Sequence, residues 1–403
     1  MIHHCNLAQR LKETSNKLMV AFLTEDPVNL NGLKPVRQRL RRFLHDYFGD
    51  NPPAMGSWEG YNRDFSLSLG EAGYLGMAVP KTYGGTERGV LERYVVVEEL
   101  LAYGAPVASH WVADRQIAPM LMRFGTEQQK QNYLPRIARG ELCFAIGMSE
   151  PESGSDLASV RTRATPVEGG WRLNGRKVWS SNALNAEYMV ATVRTASDDK
   201  DRHAGLTQLL LDLEAPGISI SPIRNLAGDE HFSEVVFEDV FVEAERLVGS
   251  EGGGWTQVVS ELAYERSGPD RFLSTFRLVT ELVRVLDVGM AKNDVNHAHT
   301  TALGSLIARL WSIRRMSMQV AAQLAVGKTP NTEAALVKDL GTALEQDTPE
   351  IARTLTTFAD PQARGALFEE LLRYDVLHTP SFSIRGGTRE VMRGIVARGI
   401  GLR

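Results

Sequence analysis

Ser149-Glu150-Pro151-Glu152-Ser153-Gly154-Ser155-Asp156, followed by Leu173-Asn174-Gly175-Arg176-Lys177-Val178-Trp179-Ser180-Ser181-Asn182, decides how this chain is read. The octapeptide is rich in small residues and hydroxyls. Such a loop leaves backbone N–H groups and Ser oxygens free to bond an anion or the polar edge of a ring. Taken alone, it reads first as a plain surface loop, and Trp179 alone reads as a core residue at a strand end, because buried Trp is common. The surroundings read as strands. Trp171-Arg172-Leu173 and Arg176-Lys177-Val178-Trp179 flank Asn174-Gly175, a pair that tolerates positive φ, and the spacing predicts a hairpin. Further short apolar runs lie at 188–193, 206–213, 218–223 and 235–242. Turn residues at Asp198-Asp199, Pro216-Gly217 and Gly228-Asp229 separate them, so a small β-barrel or sandwich is expected.

Outward from this region the period changes. On the N-terminal side, up to about residue 140, apolar residues recur at helical spacing: Val95, Val96, Glu99, Leu100 and Tyr103, then Ile117, Leu121 and Phe124. Thr126-Glu127-Gln128-Gln129 has the form of a capping box, which predicts a new helix there. On the C-terminal side Gly252-Gly253-Gly254 breaks the chain. Helical spacing then returns in Phe272, Phe276, Val279, Val283 and Leu286, and again in Leu303, Leu306, Leu310 and Ile313. The order is helices, β domain, helices, with expected domains at 1–140, 141–250 and 251–403.

At 403 residues the chain exceeds one ordinary core. A formal charge of −4 gives no global attraction to nucleic acid or acidic membrane. Cys5 and Cys143 make no disulfide framework, and the first residues are not an apolar signal, so a reducing cytoplasm is the expected home. No apolar run reaches the roughly 20 residues that a membrane span needs. His3-His4 forms no metal site by itself. Arg37, Arg39, Arg41 and Arg42 read as a solvated helix face. His110-Trp111 reads as packing, or as lining a pocket. No zinc spacing, P-loop or Gly-x-Gly-x-x-Gly appears, which argues against a nicotinamide enzyme.

Residues 143–156 resemble the first signature of the acyl-CoA dehydrogenases, in which Thr or Ser precedes Glu-Pro and Gly-Ser-Asp follows. Leu173 through Asn182 resembles the second signature, at the expected separation. Phe124-Gly125-Thr126-Glu127-Gln128-Gln129-Lys130, Tyr133-Leu134-Pro135, Glu71-Ala72-Gly73-Tyr74 and Pro80-Lys81-Thr82-Tyr83-Gly84-Gly85 also fit. The resemblance implies an α+β, mostly α fold: an N-terminal helical domain, a middle β-barrel domain and a C-terminal four-helix bundle, with FAD between them. It implies that Ser149 and Ser181 bond the flavin ring edge, that Trp179 lies against the ring, and that Ser155 reaches the pyrophosphate. Gly387 and Thr388 are expected near the cofactor. It further implies an acyl-CoA substrate, an electron-transfer flavoprotein as electron acceptor, and a homotetramer or homodimer, with a heteromer as an alternative.

The reaction needs a base for the α-proton of an acyl thioester. In many members it is a Glu just before Gly-Thr near the C-terminus, but here that position holds Gly386, and Glu390 is four residues further on. A second family position, one residue before an Arg on the first helix after the β domain, is Glu265-Arg266. Trp255, Val258, Leu262 and Glu265 share one helical face, and no basic residue stands at i±3 or i±4 to hold the carboxylate at the surface. Burial of that stripe would strengthen the carboxylate as a base. The competing reading is a structural ion pair with an Arg from another element. Pro269 cannot donate its N–H and crowds the carbonyl of Glu265, so the helix should break at Gly268-Pro269. Ser267 and Gly268 would then leave room for a bulky or branched acyl chain. The backbone N–H near Gly386 is expected to polarise the thioester carbonyl.

Two family features are missing. No Arg-x-x-Phe-Gly stretch lies between Arg277 and Gln319, although Arg284, Arg314 and Arg315 are available there. The Gly-Gly-x-Gly loop before the final helix is replaced by a polar helix over residues 358–378 carrying Leu367, Leu371 and Leu372. The rival readings are therefore a flavin oxidase or monooxygenase of the same fold, and one subunit of a heteromeric dehydrogenase.

Overall fold

Each short apolar run of the middle region becomes a strand, and the runs at 188–193 and 206–213 become strands covered on both faces. The computed structural model describes residues 30–49, 53, 58–196, 201–291, 297–357 and 361–402. These fall into two compact units. One comprises Trp58–Gly89 and Pro106–Leu262; the other holds the helix Leu30–Phe48, Val90–Ala105 and the chain from Ala263 onward.

In the first unit the helices α2 (Arg63–Glu71), α4 (Ala108–Val112), α5 (Ala118–Phe124) and α6 (Glu127–Ala138) precede eight strands. The strands are β1 (Phe144–Gly147), β2 (Arg163–Val167), β3 (Gly170–Ser181), β4 (Tyr188–Arg194), β5 (Leu206–Asp212), β6 (Ile218–Ile223), β7 (Phe232–Glu243) and β8 (Leu247–Val248). The sheet order is β6-β7-β3-β2-β4-β5-β8, with β1 parallel to β4. No pairing joins the two ends, so the sheet is open and the expected barrel does not close. The hairpin expected at Asn174-Gly175 is also corrected. Residues 170–181 form one strand, and the turn lies instead between β2 and β3, where Gly169 has φ +81. Asn174-Gly175 marks an irregularity in the β3–β7 register, and the Asn174 side chain accepts the Asp239 N–H at 2.8 Å.

Alternation along β1, β4 and β5 places Ala145, Met189, Ala191, Leu209 and Leu211 on one face. There they pack with Leu173, Val235 and Phe237. Phe144, Val190 and Leu210 face the other way, onto Ile117, Leu121, Leu134 and Ile137 of the helices. Strands buried on both faces read as continuous apolar runs, as these do. The capping box forms as expected: the Gln129 N–H donates to Thr126 Oγ1 at 3.2 Å, and the Thr126 N–H donates to Gln129 Oε1 at 3.1 Å. Gln129 Nε2 also donates to the carbonyls of Glu245 and Leu247, tying the start of α6 to β8.

The second unit is helical: α1 (Leu30–Phe48), α3 (Val90–Tyr103), the end of α7 (Gly254–Ser267), α8 (Phe276–Ala291), α9 (His297–Ala325), α10 (Asn331–Leu355), α11 (Pro361–Phe382, bent at Gly365) and α12 (Arg389–Gly399). The basic run keeps its expected solvated face at Arg39, Arg41 and Arg42, and only Arg37 is half-buried. Arg37 and Arg41 on α1 reach the buried carboxylates of Glu98 and Glu99 on α3, with Arg37 2.7 Å from Glu98 and Arg41 2.5 Å from Glu99. Arg314 of α9 also reaches Glu98 at 2.5 Å. The arginines satisfy acids that α3 would otherwise bury unpaired, and breaking such a group costs about 3–5 kcal/mol.

Asp375 on α11 is 3 % exposed, and its Oδ2 has no hydrogen-bond partner among the described residues. Burial, reinforced by Glu345, holds its carboxyl well above the usual carboxylate range. An acid whose pKa is raised by folding costs stability as the pH climbs past its unfolded value near 4, because the unfolded chain sheds the proton first. Asp375→Asn is therefore expected to stabilise the chain at pH 8 by about 1–3 kcal/mol. The gain should disappear near pH 4, and thermal unfolding at the two pH values checks it.

Candidate active site

In the sheet unit the signature loop is held by a buried ion pair that the sequence reading did not identify. Lys177 and Glu150 are fully or almost fully buried, with Nζ to Oε1 at 2.8 Å. Nζ also donates to the Met148 carbonyl at 3.2 Å. The Glu150 carboxylate accepts the N–H groups of Arg161 at 2.6 Å and Thr162 at 2.9 Å. Burial pushes the Lys177 ammonium down to about 8 against the pull of Glu150, while the Lys177 charge and these donors hold Glu150 low despite its burial. Gly147 makes this possible, since a Cβ there would stand 2.8 Å from Met189 Sδ and 3.0 Å from Lys177 Cγ. A period-2 signal for this pair was present in the sequence: Trp171, Leu173 and Lys177 share the inward phase of β3.

The clamp fixes both signature segments to each other. The Val178 N–H donates to the Ser149 carbonyl at 2.9 Å, and Glu150 and Ser153 exchange two backbone bonds. Ser149 and Ser181 are half-buried and Ser155 is exposed. Asp156 is tied up by Arg202 and by Ser159 Oγ, and Arg202 holds its carboxyl below the usual range. Between Lys177 and Ser180 the register with β7 slips, and Trp179 takes φ +59 while 56 % exposed. A bulky residue seldom adopts positive φ, and a bulge re-aims the side chain it carries. The core reading of Trp179 is therefore wrong. An exposed indole on a strained strand that is clamped to the Ser149 loop fits a flat ring system with a polar edge. His110 is a packing residue: it is 3 % exposed, burial pushes it down to about 3, and its Nδ1 lies 2.8 Å from Ser66 Oγ.

In the helical unit, α7 ends at Ser267, and Gly268 is extended at φ −69, ψ 165, so the break falls where Pro269 predicts. Tyr94 OH donates to Ser317 Oγ at 2.8 Å, and Ser317 Oγ donates to the Ser267 carbonyl at 2.5 Å, securing that end. Val258 is buried as expected, whereas the Leu262 side chain lies outside the described residues, as do His3, His4 and Cys5. The Glu265 side chain is 21 % exposed, and its Oε1 accepts from Arg271 Nη2 at 3.0 Å. No cation stands at i±3 or i±4; the partner comes from i+6, carried back by the short turn Pro269–Arg271. Arg271 is 4 % exposed, and Asp270 and Glu265 keep it charged against its burial.

Gly386 and Glu265 meet. Gly386 has φ +68, and a Cβ there would stand 3.2 Å from Glu265 Oε1. Arg266 Nε donates to the Gly386 carbonyl at 3.1 Å. Arg385 Nη2 bonds Glu345 Oε2 at 2.6 Å and the Asp270 carbonyl at 2.8 Å, and the buried Lys338 bonds the carbonyls of Phe382 and Ser383. Burial, with Arg271 and Arg385 adding to it, pushes Lys338 down to about 7. Three cations thus fix the turn that presents Gly386. Gly387 follows at φ +96, and Thr388 Oγ1 accepts the Val391 N–H at 3.3 Å, capping α12. Glu390 is exposed.

Of the cations considered for the cofactor's far end, Arg284 is engaged by Glu281 and by the carbonyls of Ala363 and Arg364, and Arg314 by Glu98. Among the described residues no group of three His, Cys, Asp or Glu side chains could hold a metal ion, and no helix is long and apolar enough to cross a membrane.

Comparison with known proteins gives a consistent result. Residues 33–141 match the family model "Acyl-CoA dehydrogenase, N-terminal domain", and residues 145–240 match "Acyl-CoA dehydrogenase, middle domain". Acyl-CoA dehydrogenase FadE34 of Mycobacterium tuberculosis is 33% identical over 82% of this chain, which spans only 45% of that protein. Acyl-CoA dehydrogenase FadE26 of the same organism is 30% identical over 90% of this chain and 96% of its own length. Among solved structures, the Tcur3481-Tcur3483 steroid ACAD superposes with a TM-score of 0.82 at 27% identity, covering 94% of this chain and 99% of that one. The ChsE4-ChsE5 complex from Mycobacterium tuberculosis gives 0.78 at 26% identity over 92% and 97%. The open sheet with its signature loops, the helical unit carrying Glu265 and the matched models lead to one conclusion: this chain belongs to the acyl-CoA dehydrogenase family.

Proposed function

We propose that the chain catalyses α,β-dehydrogenation of an acyl-CoA thioester with FAD, and that Glu265 is the base. One observation carries the reading. The family's two positions for the catalytic carboxylate converge here: Gly386 leaves its place empty of side chain, and the Glu265 carboxylate lies against it. When bound, the flavin supplies the acceptor for the hydride that leaves Cβ. The protein's share is to take the α-proton on Glu265 and to bond the thioester oxygen with a backbone N–H of the Gly386 turn. Delocalising charge onto that oxygen is what makes the α-proton acidic. Ser149, Ser181 and Trp179 hold the ring, Ser155 the pyrophosphate, and Gly387 and Thr388 complete the cofactor contacts. An electron-transfer flavoprotein takes the electrons on.

The substrate class is a bulky acyl group, branched or cyclic. The support is the end of α7 at two small residues, Ser267 and Gly268, together with the similarity to the Tcur3481-Tcur3483 steroid ACAD. A panel of acyl-CoAs, from short straight chains to branched and steroid-like ones, scored by anaerobic flavin bleaching, tests this. Branched or cyclic members are expected to bleach fastest, and preference for a short straight chain would overturn the assignment.

A second reading, one subunit of a heteromeric dehydrogenase, is favoured by two observations. Arg284 and Arg314 are spent within the chain, and one similar structure is described as a two-chain complex. Purification of the chain alone separates the readings. A yellow homomer with one flavin per chain supports the first; a colourless chain that gains flavin only with a second polypeptide supports the other.

A further inference from the structure

Pro269 stands four residues after Glu265, where a helix would place the N–H that bonds the Glu265 carbonyl. Proline has no N–H, so that carbonyl is left without its helical donor just as α7 ends. The Arg271 guanidinium takes it: Nε donates to the Glu265 backbone oxygen at 2.8 Å. From there Nη2 reaches Oε1 of the same residue at 3.0 Å, and Nε also lies 3.2 Å from Asp270 Oδ2. A planar fork that grips backbone and side chain of one residue leaves that side chain little freedom. Oε1 is held; Oε2 accepts no hydrogen bond among the described residues.

We infer that Arg271 is the positioning residue of the base: it replaces the helix donor that Pro269 removes, holds Oε1, and leaves Oε2 to receive the proton. This rests on the assignment of Glu265 as base and adds a role for a residue outside the Glu-Arg pair. Asp270 gives the arrangement its reset. When Glu265 becomes neutral on taking the proton, Arg271 keeps a carboxylate partner, so no charge is stranded in a buried site. Lys338 and Arg385 complete the cationic side of the cluster, with Glu345 opposite.

The test uses full-length chain loaded with flavin, and the acyl-CoA that bleaches it fastest in the panel above. Arg271→Met is expected to slow flavin reduction about 100-fold, the scale of a misplaced reacting group, with acyl-CoA affinity and flavin content unchanged. Arg271→Lys should recover part of the loss. In Glu265→Gln the further change Arg271→Met should add almost nothing, because both act on one step. Pro269→Ala gives a gentler route should Arg271→Met fold poorly: it returns an N–H to the Glu265 carbonyl, frees Arg271 and should also slow reduction at unchanged affinity. A readout independent of turnover is thermal unfolding of the flavin-free chain, in which the Tm losses of Arg271→Met and Glu265→Gln should be less than additive. Full reduction rates in Arg271→Met and Pro269→Ala, with Glu265→Gln inactive, would overturn this inference and leave the base assignment standing. An active Glu265→Gln would remove both.

Discussion

Glu265→Gln is expected to lower turnover by about 10²- to 10⁴-fold while the chain still folds and still binds flavin. The amide keeps the size and the hydrogen bond that Arg271 Nη2 makes to Oε1, but it cannot accept a proton at neutral pH. Binding should change little, because Glu265 is one polar group among a turn held separately by Arg266, Arg385 and Lys338. A loss of kcat at nearly constant KM is the signature of a group that acts in the chemical step. Steady-state kinetics on purified protein, with flavin content measured by absorbance, checks both halves. Retained turnover would move the base elsewhere.

Lys177→Met is expected to destabilise the sheet unit by about 3–5 kcal/mol, because Glu150 would keep its buried charge and lose its only ion-pair partner among the described residues. The loop from Ser149 to Asp156 should loosen with it, so flavin content should fall together with stability. The double change Lys177→Met/Glu150→Gln removes the stranded charge and should recover part of the stability: the amide oxygen can still accept from one of the Arg161 and Thr162 N–H groups, which bond different carboxylate oxygens, while the amide NH2 faces the other. Denaturant unfolding of the two variants separates a buried-charge effect from a plain packing loss. Equal destabilisation in both would argue for packing.

The order of helices and strands was legible because its signals are local. The capping box at Thr126, the β runs and the break at Pro269 each depend on a few neighbouring residues. The hairpin expected at Asn174-Gly175 failed because a turn-favouring pair was placed inside a strand twelve residues long, where β7 pairs along nearly its whole length. The basic face on α1 is solvated at Arg39, Arg41 and Arg42 as expected, but its ion pairs were not legible, because Glu98 and Glu99 stand about 60 residues away on α3 and no periodicity within one helix reveals that. The same limit hid Arg271, because it is no helical neighbour of Glu265 and meets it only where the chain folds back after the helix ends. Glu265 and Gly386, separated by 121 residues, were linked only by family resemblance, and the structure supplies the contact that resemblance could not.

The most direct measurement is single-turnover absorbance of the flavin after anaerobic mixing with the acyl-CoA panel, in the natural chain and in Glu265→Gln. The account predicts bleaching of the natural chain, fastest with a branched or cyclic thioester, and a flavin that stays oxidised over the same interval in the variant. A flavin-loaded natural chain that no acyl-CoA bleaches, or a variant that bleaches at the natural rate, would contradict it.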